Sequence, residues 1–557
     1  MNTKSVFFQR SKIIVENFLQ SVLIVDDLAF GKTASSDEPT ELAEPLAIPG
    51  STPTIETDIE SKDSGGEDNI ISTPINAKAI INSFADHGIA CTVFEPEKDQ
   101  LKELDHRLLK LATKFDVIIL DWYIHKNNGA HAINLIEYLI KQNQESTSQL
   151  RLITIYTTAS DQVPQIADRI LAKINELKNQ QEPEISDSNL SISFEGMHIE
   201  IFLKQDNTFE NFKDRQIENL QLADTIIEEF TKLTAGLVSN SLLYSFTKIR
   251  ENTYKMLKKF SHELDAPYLT HRVLIPNPEE SESLLSSLIS QEIENILKES
   301  KTGSSAGIDA ITVWLEQETT YPSFHIHNNL EIDTTPKYIG LMNNGLLKTI
   351  ENSDLLPTQK KNLKTKSLAN NLTQSLNRGR NEQNVLDSKF AELTLLRTFY
   401  GNIKPLLTLG TILLKKITRD DITTTEYFLC IQPRCDTVRV KNNQAFLFIK
   451  LNEVTAGDQP FNMIIKMNDN YIRLKVKTDT KNLNLLNFDC NTNDRGLVES
   501  ENKQGQTGYF FTDTSSMQYE WVGELQFTQA QRWAQTITSH LSRVGIDESE
   551  WLRLSAS

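Results

Sequence analysis

Cysteine is scarce, with four in 557 residues. A chain of this length with so few thiols is not built on a disulfide framework. Positive charge is also in deficit: 57 Lys and Arg stand against 75 Asp and Glu, a formal net charge of −18. That balance argues against broad electrostatic binding of nucleic acid or of an anionic membrane, leaving only a local basic patch for either. No apolar run approaches the roughly 20 residues needed to span a bilayer. The N-terminal stretch MNTKSVFFQRSKIIVENFL has no short apolar core ending at a small-residue cleavage site, so no signal peptide is expected. Missing too are a Walker loop, a Gly-rich dinucleotide turn, a nucleophile elbow and a convincing helix-turn-helix. These absences lead us to expect a reduced, soluble, cytoplasmic protein. Hydrophobic residues make up 39%, enough for real cores, and the length points to two to four domains.

What is present is organised around SVLIVDD, Ser21 to Asp27. A short continuous apolar run reads as a strand buried on both faces of a parallel sheet. Residues 8 to 20 read as a helix leading into it. From Gly31 to Ile70 come ten acidic residues against two lysines, with many Ser, Thr, Pro and Gly and no periodicity. Such a composition cannot bury enough apolar surface to offset its ordering entropy, so residues 31–75 are expected to form a disordered acidic insertion. Order resumes at Asn76 with a helix and a strand through Ala90 to Phe94. A helix from Asp99 to Thr113 precedes DVIILDW, a second apolar strand, which ends at Asp121. The helix AHAINLIEYLIKQ, the strand RLITIYTTAS and a helix over 164–178 follow. A polar insertion is expected at 179–190, then the strand HIEIFLKQD, and a helix from about Asp206 to Thr231. Alternating strands and helices imply a doubly wound, five-stranded parallel α/β sheet.

The strands end in distinct polar groups: Asp26 and Asp27, Asp121, Thr157 or Thr158, and Lys204. Strand ends of an open α/β sheet converge on one crevice. Adjacent acids repel unless a cation or proton sits between them. Three acids and a lysine suit a hard divalent cation with oxygen ligands and a phosphoryl group. A carboxylate there can act as the nucleophile toward phosphorus.

In order, spacing and residue type, residues 18–235 resemble the receiver domain of two-component response regulators. The resemblance implies a flavodoxin-like fold and a Mg2+ ion held by Asp26, Asp27, Asp121 and the backbone carbonyl of Tyr123. It implies Asp121 as phosphoacceptor, Thr157 or Thr158 as the switch hydroxyl, and Lys204 as the phosphate partner. Gly129, eight residues after Asp121, matches the glycine of the family's D-x-x-x-P-x-x-x-G loop. His125 stands where that loop has Pro, Gln205 where Pro follows the lysine, and the insertion after the first strand borders the site. A histidine kinase or related ATPase would be the phosphodonor and a protein effector the target, as in a bacterial phosphorelay. A phosphorylation-independent pseudo-receiver scaffold is the alternative, by analogy in a bacterial stress or anti-phage defence system. A haloacid-dehalogenase-like phosphatase fits less well, because its nucleophile motif is D-x-D after the first strand and the acids here are adjacent. The expected protein is thus not an enzyme beyond autodephosphorylation. His125, His131 and His198 show no metal-ligand spacing and are read as surface or core residues.

Beyond residue 235 no family is recognised. Residues 236–400 read as mainly helical, packing as intramolecular core or as a homodimer element. Residues 401–557 read as a β-rich antiparallel domain with a C-terminal helix. In that helix Ala530, Trp533, Ala534, Ile537, Leu541 and Val544 share a face, with Thr528 as N-cap and Gly545 as C-cap, before a turn with Trp551 and Leu552. Cys430 and Cys435 have knuckle spacing but no second pair, and Cys490 is alone, so buried thiols are expected rather than zinc. Asp436 and Arg439 are read as a local ion pair or as lining for a binding site.

Overall fold

In the computed structural model, the described residues are 4–29, 75–96, 106–145, 149–178, 182–186, 190–205, 211–363, 369–377, 383–401, 403–420, 422–455, 460–467, 470–492, 496–502 and 508–541. The acidic segment 31–74 lies outside them, as do Val544, Gly545, Trp551 and Leu552. The chain forms two compact units, one of residues 1–269 and 282–318, the other of 270–281 and 319–557.

In the first unit the central sheet is built from β1 (Ser21–Val25), β2 (Ala90–Phe94), β3 (Val117–Leu120), β4 (Arg151–Thr157) and β7 (Met197–Lys204). They run parallel in the order β2-β1-β3-β4-β7. This is the doubly wound five-stranded core expected from the sequence. Period-2 alternation explains the unbroken apolar runs. Leu23 and Val25 of β1 face one core, with Ile118 and Leu120; Val22 and Ile24 face the other, with Val117 and Ile119. On the first face pack α3 (His106–Ala112), α4 (Ala130–Glu145) and α5 (Val163–Leu177). Covering the second are α1 (Val6–Phe18), α2 (Ala77–Asp86) and α6 (Leu222–Thr234). Ser5 caps α1 and Asn76 caps α2, each side chain accepting from the N3 backbone N–H. A seventh helix, α7 (Leu237–Glu251), is tied to α1 by a buried hydrogen bond from Asn240 Nδ2 to Ser11 Oγ.

Phe84 is fully buried in the second core. Phe84→Ala should therefore lower stability by about 3–5 kcal/mol. Urea titration reads this as a lower midpoint at unchanged slope. A loss under about 1 kcal/mol would show that α2 is not held by that core.

Two expectations between the strands change. The polar insertion 179–190 contains β5 (Glu184–Ser186), which pairs antiparallel with β6 (Ser191–Phe194), and β6 pairs antiparallel with β7. The parallel sheet therefore carries an added antiparallel hairpin on its β7 edge. After Lys204 the described chain forms short 3-10 turns and β8 (Gln216–Ile217), parallel to β7, before α6 begins at Leu222 rather than near Asp206.

In the second unit β9 (Thr320–His327) and β10 (Leu330–Thr334) form a hairpin followed by helices. An antiparallel sheet then comprises β11 (Thr411–Arg419), β12 (Ile422–Cys430), β13 (Gln444–Glu453), β14 (Met463–Met467), β15 (Asn470–Val476), β16 (Leu483–Phe488), β17 (Phe510–Thr512) and β18 (Gln518–Glu524). Its order is β14-β15-β13-β12-β11-β18-β17, with β16 also on β13. Both faces are buried: Ile412 and Leu414 enter one core, Leu413 the other. The last described helix, Phe527–Leu541, contains Thr528 rather than being capped by it, and buries Ala530 and Ile537. Cys430 is buried, and burial pushes its thiol up to about 12; Cys435 is exposed, contrary to a buried pair. Arg439 pairs with Glu280 at 3.0 Å instead of with Asp436. Among the described residues no helix is long and apolar enough to cross a membrane.

Candidate functional site

Adjacent parallel strands carry the first three acids to one place. The backbone N–H of Asp26 donates to Phe94 O (3.3 Å) and that of Asp121 to Val25 O (2.9 Å), so the sheet ladder fixes the strand ends beside each other. Ligand oxygens from Asp26, Asp27 and Asp121 all lie within 4.8 Å of one another. Lys204, at the end of β7, reaches the same spot: its Nζ is 2.8 Å from Asp26 Oδ2 and 3.5 Å from Asp121 Oδ2. Asp26, Asp121 and Lys204 are each at most 5% exposed. The structure thus brings together four of the six side chains picked from the sequence.

Each acid is held differently. Asp26 is fully engaged, because its Oδ1 accepts from the Leu28 N–H at 2.8 Å and its Oδ2 from Lys204. Asp27 Oδ2 accepts from the backbone N–H of His125 at 2.8 Å, while its Oδ1 is buried without a hydrogen bond. Neither oxygen of Asp121 accepts a formed hydrogen bond. Burial raises the Asp121 carboxyl from its ordinary 3.8 to about 6; Lys204 opposes the rise, Asp26 and Asp27 add to it, and the nearby Tyr123 backbone N–H, short of a formed hydrogen bond, also opposes it. Three carboxylates against one ammonium leave negative charge that a proton or a metal cation would neutralise. The orphaned oxygens of Asp27 and Asp121 are hard oxygen donors, so the residues present fit a small divalent cation.

The remaining expected residues take distinct places. Thr157 is wholly buried at the end of β4, its Oγ1 accepting from the Ala159 N–H at 3.2 Å. Thr158 is half-buried on the following turn. Tyr123 is buried directly after Trp122. Gly129 has φ +78°, and a Cβ there would fall 2.1 Å from the Trp122 indole. Glycine at this position is therefore a steric requirement of the loop after Asp121.

One residue read as surface or core belongs to the site. His125 adopts φ +51°, ψ +35°, which proline cannot. Besides its backbone bond to Asp27, its Nδ1 lies 3.2 Å from Asp27 Oδ2 and its Nε2 2.7 Å from Pro96 O. A search of the sequence for histidine spacing could not reveal this, because the partner carboxylate is 98 residues away. His198 instead belongs to a cross-strand network on β6 and β7. Its Nδ1 is 2.7 Å from Ser193 Oγ and its Nε2 2.8 Å from Glu200, which also accepts from Arg215 at 2.6 Å. Burial alone would raise the Glu200 carboxyl, but bonds from His198, Ser191 and Arg215 hold it below the usual range. Beside the acid cluster, Lys204 also lines an open cleft of about 320 Å³ with Asn76, Tyr156, Glu218 and Asn219.

Residues 18–209 match the family model described as the response receiver domain. The N-terminal part of this chain is a receiver domain. No curated protein and no solved structure matches the chain. The receiver match accounts for the parallel sheet and its strand-end acids, and the hairpin of β5 and β6 falls inside it.

Proposed function

We propose that the receiver domain accepts a phosphoryl group on Asp121 in a Mg2+-dependent reaction, and that this controls protein–protein output of the rest of the chain. The observation that carries the reading is the state of Asp121: buried, without a formed hydrogen bond, and faced by Lys204. A hydrogen-bonded carboxylate would be a poor nucleophile; this one keeps its lone pairs available. An Asp121 oxygen attacks the phosphorus of a donor, the bond from phosphorus to the donor atom breaks with its electron pair, and an acyl phosphate results. Bound Mg2+, held by Asp26, Asp27, Asp121 and the Tyr123 carbonyl, would supply charge neutralisation on the phosphoryl oxygens. Lys204 is placed to receive one new phosphoryl oxygen as a charge-assisted donor. Thr157 and Thr158, on the adjoining β4 end, are the hydroxyls that would turn toward another, and their turn is the element whose conformation the added charge biases.

The implied donor is a histidine kinase or related ATPase and the implied target a protein effector. The protein is proposed to work in the cytoplasm as a phosphoacceptor, losing its phosphoryl group to water as its sole turnover. The test is intact-mass spectrometry after treatment with acetyl phosphate and Mg2+. Wild type should gain one phosphoryl mass, and Asp121→Asn should gain none. Equal gain by both would place the acceptor elsewhere. A second reading, a phosphorylation-independent scaffold, is favoured by Asp26 having both oxygens already satisfied by Leu28 and Lys204. It predicts no gain in wild type and unchanged partner binding in Asp121→Asn.

A further inference from the structure

The helices that follow α7 lack a core of their own. In order come α8 (Thr253–Lys259), α9 (Asp265–Leu274) and α10 (Glu280–Glu299), yet between Thr247 and Thr302 the one buried residue is Ser281. Helices of seven and ten residues, such as α8 and α9, are marginal in water by themselves and hold through packing. Apolar side chains for that packing are present. Tyr254 and Leu257 of α8 and Leu269 of α9 are 58–76% exposed. On α10, Leu285, Leu288 and Ile289 are 37–42% exposed, at the helical spacing that puts them in one stripe. An ion pair from Lys259 to Glu292, at 2.6 Å, sets α8 beside α10. Together these side chains leave on the order of 600 Å2 of apolar surface in water, the upper end of what a monomer exposes in one patch. The stems of the neighbouring lysines bring the face near the roughly 800 Å2 that each partner gives to a stable interface.

Charge selects the occupant. α8 carries Lys255, Lys258 and Lys259 and no acid, whereas α10 carries five glutamates against Lys298. Lys258 lies one turn from Tyr254, and Glu292 and Glu299 follow Leu285 at seven-residue intervals, so each set of charges borders its own apolar side chains. A two-fold pairing that sets the basic helix of each copy against the acidic helix of the other satisfies both patches at once, which a partner of either single charge does not. We infer that this helical face, outside the receiver match at 18–209, is where a second copy of the chain docks, α8 of one against α10 of the other.

The test uses the full chain in sedimentation velocity over a series of concentrations. Wild type should form a dimer that added salt weakens. Leu285→Asp with Ile289→Asp should weaken it at least about thirtyfold. Two charge reversals test the pairing itself. Lys255→Glu with Lys258→Glu reverses the charge bordering the apolar side chains of α8, and Glu292→Lys with Glu299→Lys reverses that bordering the stripe of α10. Each variant alone should be monomeric where wild type is a dimer. An equimolar mixture of the two should dimerise again, because opposite charges then meet at both α8–α10 contacts. A wild type that stays monomeric at every concentration overturns the inference, as does a dimer that the aspartate pair leaves intact. A mixture no more dimeric than its parts overturns the pairing of α8 with α10. The substituted side chains lie outside any core, so circular dichroism should match wild type; should the aspartate pair fail to fold, the mixture decides alone.

Discussion

Replacing Lys204 with methionine will destabilise the metal-free receiver domain by about 3–5 kcal/mol at pH 8. Lys204 is 5% exposed and is the one ammonium within ion-pair reach of Asp26 and Asp121 among the described residues. Methionine keeps the length of the side chain and its packing over the Tyr156 ring, which lies 5.9 Å from the ammonium. What it removes is charge. Asp26 then loses the donor on Oδ2, and Asp121 loses the influence that holds its carboxyl down. A buried carboxylate without its partner is the costly state, far more than the pair itself was favourable. Added Mg2+ should restore part of the loss in Lys204→Met and proportionally less in wild type. Chemical denaturation with and without Mg2+ checks both statements. A loss below about 1 kcal/mol would mean that the acids are neutralised by something other than Lys204.

Asp121→Asn should do the reverse and stabilise the metal-free protein near neutral pH. The Asp121 carboxyl sits at about 6 in the folded protein against an ordinary 3.8. Its folded value is the higher one, so the native state binds more protons than the unfolded chain between those limits. Stability therefore falls as pH rises from about 4 to about 6, and the full cost, about 3 kcal/mol, is present above that window. Asparagine stays neutral throughout. The gain of Asp121→Asn over wild type should be largest at pH 7–8 and vanish near pH 4. Taking the difference between the two proteins removes the titration of every other carboxyl. A gain independent of pH would assign the effect to packing instead. Mg2+ affinity should fall as pH drops through the same window, because protons compete for Asp121.

Much of this was legible beforehand, for definite reasons. SVLIVDD and DVIILDW are strands buried on both faces, so continuous apolar runs marked them, and their ends marked the site. The hairpin of β5 and β6 was not legible. Its cross-strand pairs, Ser191 with Glu200 and Ser193 with His198, are polar on one face because they satisfy each other. In the sequence His198 and Glu200 fall in the expected strand HIEIFLKQD, but nothing in Ser191 and Ser193 marks a partner strand beside it. Among its described residues the stretch before α6 contains a single strand of two residues, too short for any period to register. The contact of His125 with Asp27 was not legible because it depends on backbone conformation and on a carboxylate distant in sequence. Asp436 and Arg439 show the opposite error, since closeness in sequence suggested a pair that the fold does not make.

The acids of the site come from the ends of β1 and β3, and the ammonium from the end of β7, held in register only by the completed parallel sheet. No part of that sheet lacking β1, β3, β4 or β7 can present all four groups. Ligand binding at this cluster is consequently linked to the folding equilibrium of the whole domain, and saturating it by 100-fold over its dissociation constant adds about 2.7 kcal/mol to unfolding. The same linkage makes occupancy a gauge of integrity: any lesion in β1, β3, β4 or β7 that opens the sheet lowers affinity, however far it lies from the carboxylates.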